Sequence, residues 1–148
     1  RWSQDAKALR LEVGDVDRYS EIQLVERRAV EAVLAAERAL GRTPHEMPRN
    51  NPGYDIQSLD ADGRIHYIEV KGRIAGSDTF TITTNEVTFA QTQGDRHRLA
   101  LVLVSPDGEE HDRLHYVLDA FTHIEPSATT RSYNEEWRDY WDRGGPPR

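Results

Sequence analysis

The chain has 148 residues, 36% of them hydrophobic and 30% charged, and its net charge is −7 at pH 7. This length and composition suit one globular domain with a substantial core rather than a disordered chain, and the acidic balance argues against an isolated, high-affinity nucleic-acid binder. The absence of cysteine excludes disulfides and thiolate metal sites, and no apolar run approaches the roughly 20 residues that span a bilayer. We therefore expect a cytoplasmic protein without a membrane partner. Because the chain opens on Arg1, we also expect it to be a piece of a longer polypeptide.

The first 40 residues predict an arm followed by one long amphipathic helix. Residues 1–17 are charged and weakly patterned, which is typical of an arm or a short helix. From residue 18 to residue 40 apolar side chains recur at helical spacing, and Gly41 ends the pattern. Ser20 is the candidate N-cap. The predicted buried stripe consists of Ile22, Val25, Ala29, Val33, Ala36 and Leu40.

Glu26 falls beside this apolar stripe, where a carboxylate needs a partner. In one interpretation it is an additional acidic member of a metal site. In the other it is a boundary glutamate that pairs with an arginine such as Arg27 or Arg49. The position of Glu26 on the helix is compatible with both interpretations.

The stretch from Gly53 to Gly72, GYDIQSLDADGRIHYIEVKG, predicts a β-hairpin. Two β-rich runs, 55–59 and 64–71, flank a three-residue loop at 61–63 that ends on a glycine suited to the αL conformation. This loop sets the register of the two strands. A two-residue turn at 62–63 would shift that register by one residue. The preceding stretch, 43–52, contains three prolines and predicts an irregular loop.

The predicted register places two carboxylates directly across the hairpin from each other. It pairs Asp55 with Glu69, and strand alternation puts Lys71 on the same face. Adjacent carboxylates repel each other unless a cation lies between them. We expect this face to be charged and wet, while the opposite face turns towards a core. The residues on that opposite face are Tyr54, Ile56, Ile68 and Val70.

These residues suit metal-assisted phosphodiester cleavage. Mg²⁺ (or Mn²⁺) prefers oxygen ligands, which Asp55, Glu69 and the main-chain carbonyl of Val70 would supply. Lys71 would orient the attacking water and stabilise the developing negative charge. The alternative is a ladder of Asp, Glu and Lys ion pairs on a solvated strand.

The middle of the chain predicts a strand and a capped helix. Residues 79–83 are expected to form the third strand of a meander with the hairpin. Thr83 and Glu86 match a capping box, and the helix that follows extends to Gln93. We assign Glu86 to capping rather than to catalysis.

Two further strands complete a predicted α/β fold with a mixed sheet flanked by helices. Residues 99–104, LALVLV, predict a strand buried on both faces, and residues 114–118 predict its neighbour. We place one domain at residues 18–122 and a C-terminal aromatic segment and tail at 123–148. The aromatic residues of that segment are expected to pack onto the domain rather than to stack on nucleic-acid bases. They are Trp137, Tyr140 and Trp141.

The runs GYDIQS, IEVKG and ITTNE occur in this order after a helix with Glu26 and before a buried apolar strand. Together they resemble the NO VEIN C-terminal domain family, which is similar to the PD-(D/E)xK nucleases, including Mrr-like restriction endonucleases. The resemblance covers roughly residues 21–119 and implies a restriction-endonuclease-like core. A tyrosine, Tyr54, stands where the superfamily name has proline. The residues that match family positions are Asp55, Glu69 and Lys71 for metal binding and catalysis, Glu26 for the first-helix acid, and Thr83, Asn85 and Glu86 for the segment after the third strand.

The resemblance also implies a setting. Such modules occur at the ends of larger, often helicase-like proteins associated with restriction or phage defence. We therefore expect a Mg²⁺- or Mn²⁺-dependent DNA endonuclease that is attached to other domains and forms a homodimer. The alternatives are a non-cutting nucleic-acid-binding module and a protein-interaction module that docks a partner through its tryptophan-rich segment.

Overall fold

The computed structural model describes residues 15–148, with side chains from residue 20 onward. The predicted arm at 1–17 falls largely on residues 1–14, outside the described residues, and residues 15–17 belong to the first helix. Within the described part, no helix is both long enough and apolar enough to cross a bilayer. The elements are α1 (Asp15–Ala39), β1 (Thr43–Glu46), β2 (Ile56–Leu59), β3 (Ile65–Ile74), β4 (Thr79–Thr83), α2 (Thr84–Gln93), β5 (His97–Val104), β6 (Arg113–Leu118), β7 (Ser132–Glu136) and α3 (Trp137–Arg143).

Five strands form a mixed sheet in the order β1-β2-β3-β5-β6, and β4 pairs with β7 in a separate two-stranded sheet. Strands β3 and β5 run parallel, whereas β1, β2 and β3 form an antiparallel meander. Helices pack on both faces of the larger sheet. The predicted α/β fold, a mixed sheet with a meander flanked by helices, is confirmed.

The membership of the meander differs from the prediction. Residues 43–46, expected in a loop, form β1 at the edge of the sheet, a position that tolerates a proline such as Pro44. Strand β4, expected beside β3, pairs with β7 instead. Its Phe80 and Ile82 are buried among side chains of α2, α3 and β5. This burial on one face of the larger sheet draws β4 out of the meander.

The buried part of α1 is shorter than predicted. Ile22 and Leu40 are 49% and 40% exposed, and Ser20 lies inside the helix rather than at its start. The central turns carry the packing because Ala29 lies directly against β3. A Cβ atom added to Gly72 would lie 2.6 Å from the Ala29 Cβ, so glycine permits this close approach.

The two faces of β5 bury two separate apolar clusters, as its continuous apolar sequence predicts. One cluster packs under α1 and contains Val25, Ala29, Val33, Leu34, Ile56, Ile68, Ala100, Val102, Val104 and Tyr116. The other packs under α2 and α3 and contains Phe80, Ile82, Val87, Ala90, Leu99, Leu101, Val117, Ala120, Phe121, Trp137 and Tyr140. The expectation that the C-terminal aromatic residues pack onto the domain is therefore confirmed.

A buried glutamate that the sequence reasoning missed joins the end of α1 to β6. The Glu37 side chain is 0% exposed. Its carboxylate accepts hydrogen bonds from Arg42 at 2.7 and 2.9 Å and from the Tyr116 hydroxyl at 2.6 Å. Burial by itself raises the pKa of Glu37, but these hydrogen bonds outweigh it and hold the pKa below its ordinary value. Glu37 is thus an ionised carboxylate with matched partners.

Candidate active site

The hairpin has the predicted register. Ile56 pairs with Ile68, and the Asp60 N–H donates to the Arg64 carbonyl at 2.9 Å across a loop whose Gly63 has a φ of 83°. One residue beyond this pairing, Asp55 lies across from Glu69. Loop length, which sets the register, was therefore sufficient to predict that Asp55 and Glu69 lie across from each other.

Aromatic packing holds the entry to β2 in place. The Tyr54 ring stacks on Phe89 of α2 with centroids 4.9 Å apart, and it meets the edge of Tyr67 at the same distance. Tyr54 therefore lies on the α2 side of the sheet, and its predicted place on the side of Ile56 is wrong. Strand alternation breaks at Asp55, whose N–H bonds to the Ile68 carbonyl at 2.9 Å.

Strand β3 has an open edge beside Asp55. Its pairing with β2 ends at Ile68, whereas its pairing with β5 continues to Ile74. The Val70 N–H donates to Asp55 Oδ2 at 2.7 Å along this edge. Since the N–H and C=O of one strand residue point to the same side, the Val70 carbonyl also faces the edge. Asp55 thereby gains a fixed orientation, and the carbonyl expected as a third ligand lies next to it.

Glu69 is a buried carboxylate with an incomplete set of partners. Its side chain is 3% exposed, and its Oε2 lies 3.2 Å from Lys71 Nζ. Its Oε1 is buried with no hydrogen-bond donor from the described residues. Burial raises the pKa of Glu69 well above its ordinary value, with Asp55 and Glu86 adding to the rise and Lys71 opposing it. The expectation of a wet face is wrong here, because the first turn of α2 approaches Glu69 through Glu86.

Glu86 caps α2 and also contacts Lys71. The predicted capping box is confirmed: the Thr83 N–H donates to Glu86 Oε1 at 2.9 Å, and the Glu86 N–H donates to Thr83 Oγ1 at 3.1 Å. The same Oε1 lies 3.5 Å from Lys71 Nζ. Burial lowers the pKa of Lys71, but Glu69 and Glu86 outweigh that effect and raise it. Lys71 is therefore a charged ammonium held between two carboxylates.

The site carries more negative than positive charge. Asp55, Glu69 and Glu86 face the single ammonium of Lys71, and burial raises the pKa of Asp55 despite its hydrogen bond from Val70. A cation between Asp55 and Glu69 would relieve this repulsion and would give Glu69 Oε1 a partner. No three side chains of His, Cys, Asp and Glu among the described residues form a metal-ligand cluster. Two carboxylates, a carbonyl and water form the kind of ligand set that Mg²⁺ accepts, so the residues fit that ion.

The site opens into a cavity of about 630 Å³ between α1, β3 and the connection from β1 to β2. Glu26 lines this cavity with an exposed side chain. The proposed partner Arg27 instead bonds Glu46 at 2.8 and 3.0 Å. The charge of Glu26 acts on Arg73. The structure therefore brings Glu26 to the same cavity as Asp55, Glu69 and Lys71, and Arg73 lines it too.

Arg73 also lines this cavity, although the sequence had not placed it in the site. It was expected after the end of the strand, but β3 continues through Ile74. Its spacing of two residues from Lys71 places both on one face of β3. This two-residue spacing was the sequence feature that could have placed Arg73 in the site.

Comparison with solved structures defines the class of fold. The chain is similar to Hjc of Archaeoglobus fulgidus, a Holliday junction resolvase from an archaeal hyperthermophile, with a TM-score of 0.52 and 16% sequence identity. The match covers 81% of this chain and 89% of that chain. The domain therefore has a nuclease-like, restriction-endonuclease-like fold.

Comparison with family models defines the family. Residues 25–117, more than half of the chain, match the family described as Protein NO VEIN, C-terminal. The chain belongs to this family, as its motifs predicted. A comparison with curated protein sequences gives no match.

Proposed function

We propose that this domain hydrolyses phosphodiester bonds of DNA in a metal-dependent reaction centred on Asp55, Glu69 and Lys71. The Glu69 Oε1 atom carries the proposal, because it is buried without a donor and adjoins other carboxylates. A carboxylate in this position is costly unless it takes up a proton or a cation. The nuclease-like fold supports the cation.

Each residue has a defined task in the proposed reaction. Asp55, oriented by the Val70 N–H, and Glu69 would hold Mg²⁺ or Mn²⁺ together with the Val70 carbonyl. The ion, when bound, supplies Lewis acidity towards the phosphate and lowers the pKa of a coordinated water. Lys71 orients the attacking water and stabilises negative charge on the phosphate oxygens. Glu26 is assigned as an acidic member on the α1 side of the cavity.

The charge of the domain bears on how it holds its substrate. A net charge of −7 repels a polyanion, so tight binding of DNA requires an additional basic surface. We propose that an attached helicase-like or other domain supplies this surface in a cytoplasmic restriction or phage-defence protein. Homodimerisation would place two such sites on one DNA. We assign the nuclease domain to residues 18–122, to which the segment 123–148 adds β7 and α3.

The proposal is tested by incubating supercoiled and linear DNA with the protein and Mg²⁺ or Mn²⁺. Asp55→Asn and Lys71→Ala should each reduce the cleavage rate by about 100-fold or more. Asp62→Asn is the matched control, because it removes one carboxylate from the exposed tip of the same hairpin. It should cleave like the wild type. Circular dichroism should show the same folded spectrum for all four proteins.

Two results would contradict the proposal. Cleavage that persists in both Asp55→Asn and Lys71→Ala would refute the assignment of the site. Binding of DNA without cleavage under any of these metal conditions would make the domain a non-cutting nucleic-acid-binding module. A module that docks a partner through its tryptophan-rich segment has less support, because Trp137 is buried in the core.

A further inference from the structure

Arg73 is oriented by two hydrogen bonds to main-chain carbonyls near the end of β3. Its Nε donates to the Thr79 carbonyl at 3.1 Å, and its Nη1 donates to the Gly72 carbonyl at 2.7 Å. Both acceptors are neutral, so these bonds orient the guanidinium without neutralising it. Each terminal nitrogen carries two N–H groups, so Nη2 and the second N–H of Nη1 remain available to a ligand.

The charge of Arg73 is poorly compensated compared with the charges of Arg42 and Arg28. Arg42 bonds Glu37 at 2.7 Å, and Arg28 lies 2.6 Å from Asp112. Within residues 20–148, no carboxylate forms an ion pair with Arg73 at hydrogen-bonding distance, and Glu26 acts on it only through its electrostatic field. Burial lowers the pKa of Arg73, although a guanidinium stays charged at any physiological pH. A half-buried cation of this kind is stabilised by an anionic ligand.

The position of Arg73 indicates which anion it would bind. It lines the same cavity as Lys71, on the same strand and two residues further along. Two residues of a strand span on the order of 7 Å, which is the scale of the separation between successive phosphates of a nucleic-acid strand. A guanidinium also presents parallel N–H groups that match two phosphate oxygens.

We infer that Arg73 forms a phosphate-binding subsite for the backbone phosphate next to the one that is cleaved. This inference rests on the proposed nuclease function and names the part of the substrate that the cavity holds. Glu26 is the resident counter-charge of Arg73, and it competes with the incoming phosphate. Arg73 therefore binds substrate, while Glu26 weakens that binding.

The subsite is tested by fluorescence anisotropy with a labelled DNA duplex, with Ca²⁺ in place of Mg²⁺ and over a range of salt concentrations. Arg73→Gln should weaken binding about tenfold or more and should reduce the slope of log K against log salt by about 0.9, since one phosphate contact is lost. Arg64→Gln is the matched control, because it removes the same charge from the exposed hairpin tip. It should retain the wild-type slope. Glu26→Gln should strengthen binding.

A conservative variant separates phosphate binding from a purely structural role. Arg73→Lys keeps the charge but loses the planar fork that contacts Gly72 and Thr79, so it should bind more weakly than wild type with a wild-type slope. A residue that only braced the two carbonyls would leave the slope unchanged in both Arg73 variants. Thermal unfolding, recorded in parallel, identifies the temperature at which every variant is folded.

The outcomes distinguish this inference from the proposed function. Three results would each overturn the subsite. The first is a wild-type salt slope in Arg73→Gln, and the second is an equal loss of DNA affinity in Arg73→Gln and Arg64→Gln. The third is a wild type that does not bind DNA. Cleavage by the wild type with Mg²⁺ would leave the nuclease proposal standing in those cases. Conversely, the expected difference in slope without any cleavage would reject the nuclease and leave Arg73 as a DNA-phosphate contact.

Discussion

Replacing Glu69 by glutamine should stabilise the metal-free domain and abolish its proposed activity. Glu69 is buried against Asp55 and Glu86, and burial raises its pKa well above the ordinary value. Glutamine has the same shape without the charge, and its NH₂ group can donate to both neighbouring carboxylates. Charge-assisted hydrogen bonds of this kind contribute about 1.5–3 kcal/mol. Partial loss of the ion pair with Lys71 offsets this gain, so we expect a net stabilisation of about 2 kcal/mol.

The stabilisation should depend on pH in a defined direction. The pKa of Glu69 is higher in the folded state than in the unfolded state, where it is near 4.5. Glu69 therefore adds to the free energy of unfolding below pH 4.5, and this stabilisation is lost as the pH rises through the raised folded-state pKa. The difference between Glu69→Gln and wild type should therefore be small at pH 4 and should grow towards neutral pH. At neutral pH, about 2 kcal/mol corresponds to a rise in the melting temperature of about 4–8 °C.

Glu37 provides a matched control with the opposite expectation. It is also fully buried, but Arg42 and Tyr116 donate hydrogen bonds to it and its pKa is held below the ordinary value. Glu37 therefore adds to the free energy of unfolding above its unfolded-state pKa, and this stabilisation is lost as the pH falls through its lowered folded-state pKa. Glu37→Gln leaves the largely buried Arg42 without its counter-charge, which should cost about 3–5 kcal/mol. The melting temperature should fall by about 6–20 °C.

The assay is thermal unfolding with a chelator at several pH values, repeated with Mg²⁺. Added Mg²⁺ should raise the melting temperature of the wild type, since an ion that binds only the folded state stabilises it, and should have little effect on Glu69→Gln. The reasoning is refuted if Glu69→Gln melts below wild type at neutral pH without metal, or if both glutamine variants shift in the same direction.

Further predictions concern packing, charge and burial. Gly72→Ala should destabilise the fold by about 1–3 kcal/mol, because the new Cβ would lie 2.6 Å from that of Ala29. Gly145→Ala, which meets nothing within 4 Å, should leave the melting temperature unchanged. Glu86→Gln should retain the helix cap in circular dichroism, since glutamine also serves a capping box. It should weaken Mg²⁺ binding roughly tenfold in calorimetry, since it removes a nearby negative charge. Burial lowers the pKa of His97 to about 4, so the wild type should lose up to about 3 kcal/mol as the pH falls from 6.5 to 4. His97→Phe should remove that loss in urea unfolding, and an equal slope in both proteins would contradict the assignment.

Short-range features of the sequence determined the centre of the candidate site. A three-residue loop that ends on Gly63 specifies the hairpin register, which sets Asp55 across from Glu69, and strand alternation places Glu69 and Lys71 on one face of β3. The capping box at Thr83 is equally local, because both of its hydrogen bonds form within four residues. Such features can be predicted from the sequence because the residues that form them are close together in the chain.

Only the tertiary structure decided the surroundings of these residues. Strand β4 pairs with β7, about 50 residues later, and β1 adds to the edge of the sheet despite its proline. The burial of Glu69, the pairing of Glu37 with Tyr116 and the placement of Arg73 beside Glu26 depend on segments that are distant in the chain. Burial and electrostatic environment are sums over such distant contacts. The sequence by itself therefore determined which groups are present and how the hairpin aligns them, whereas the packed fold decided which of their charges are left without a partner.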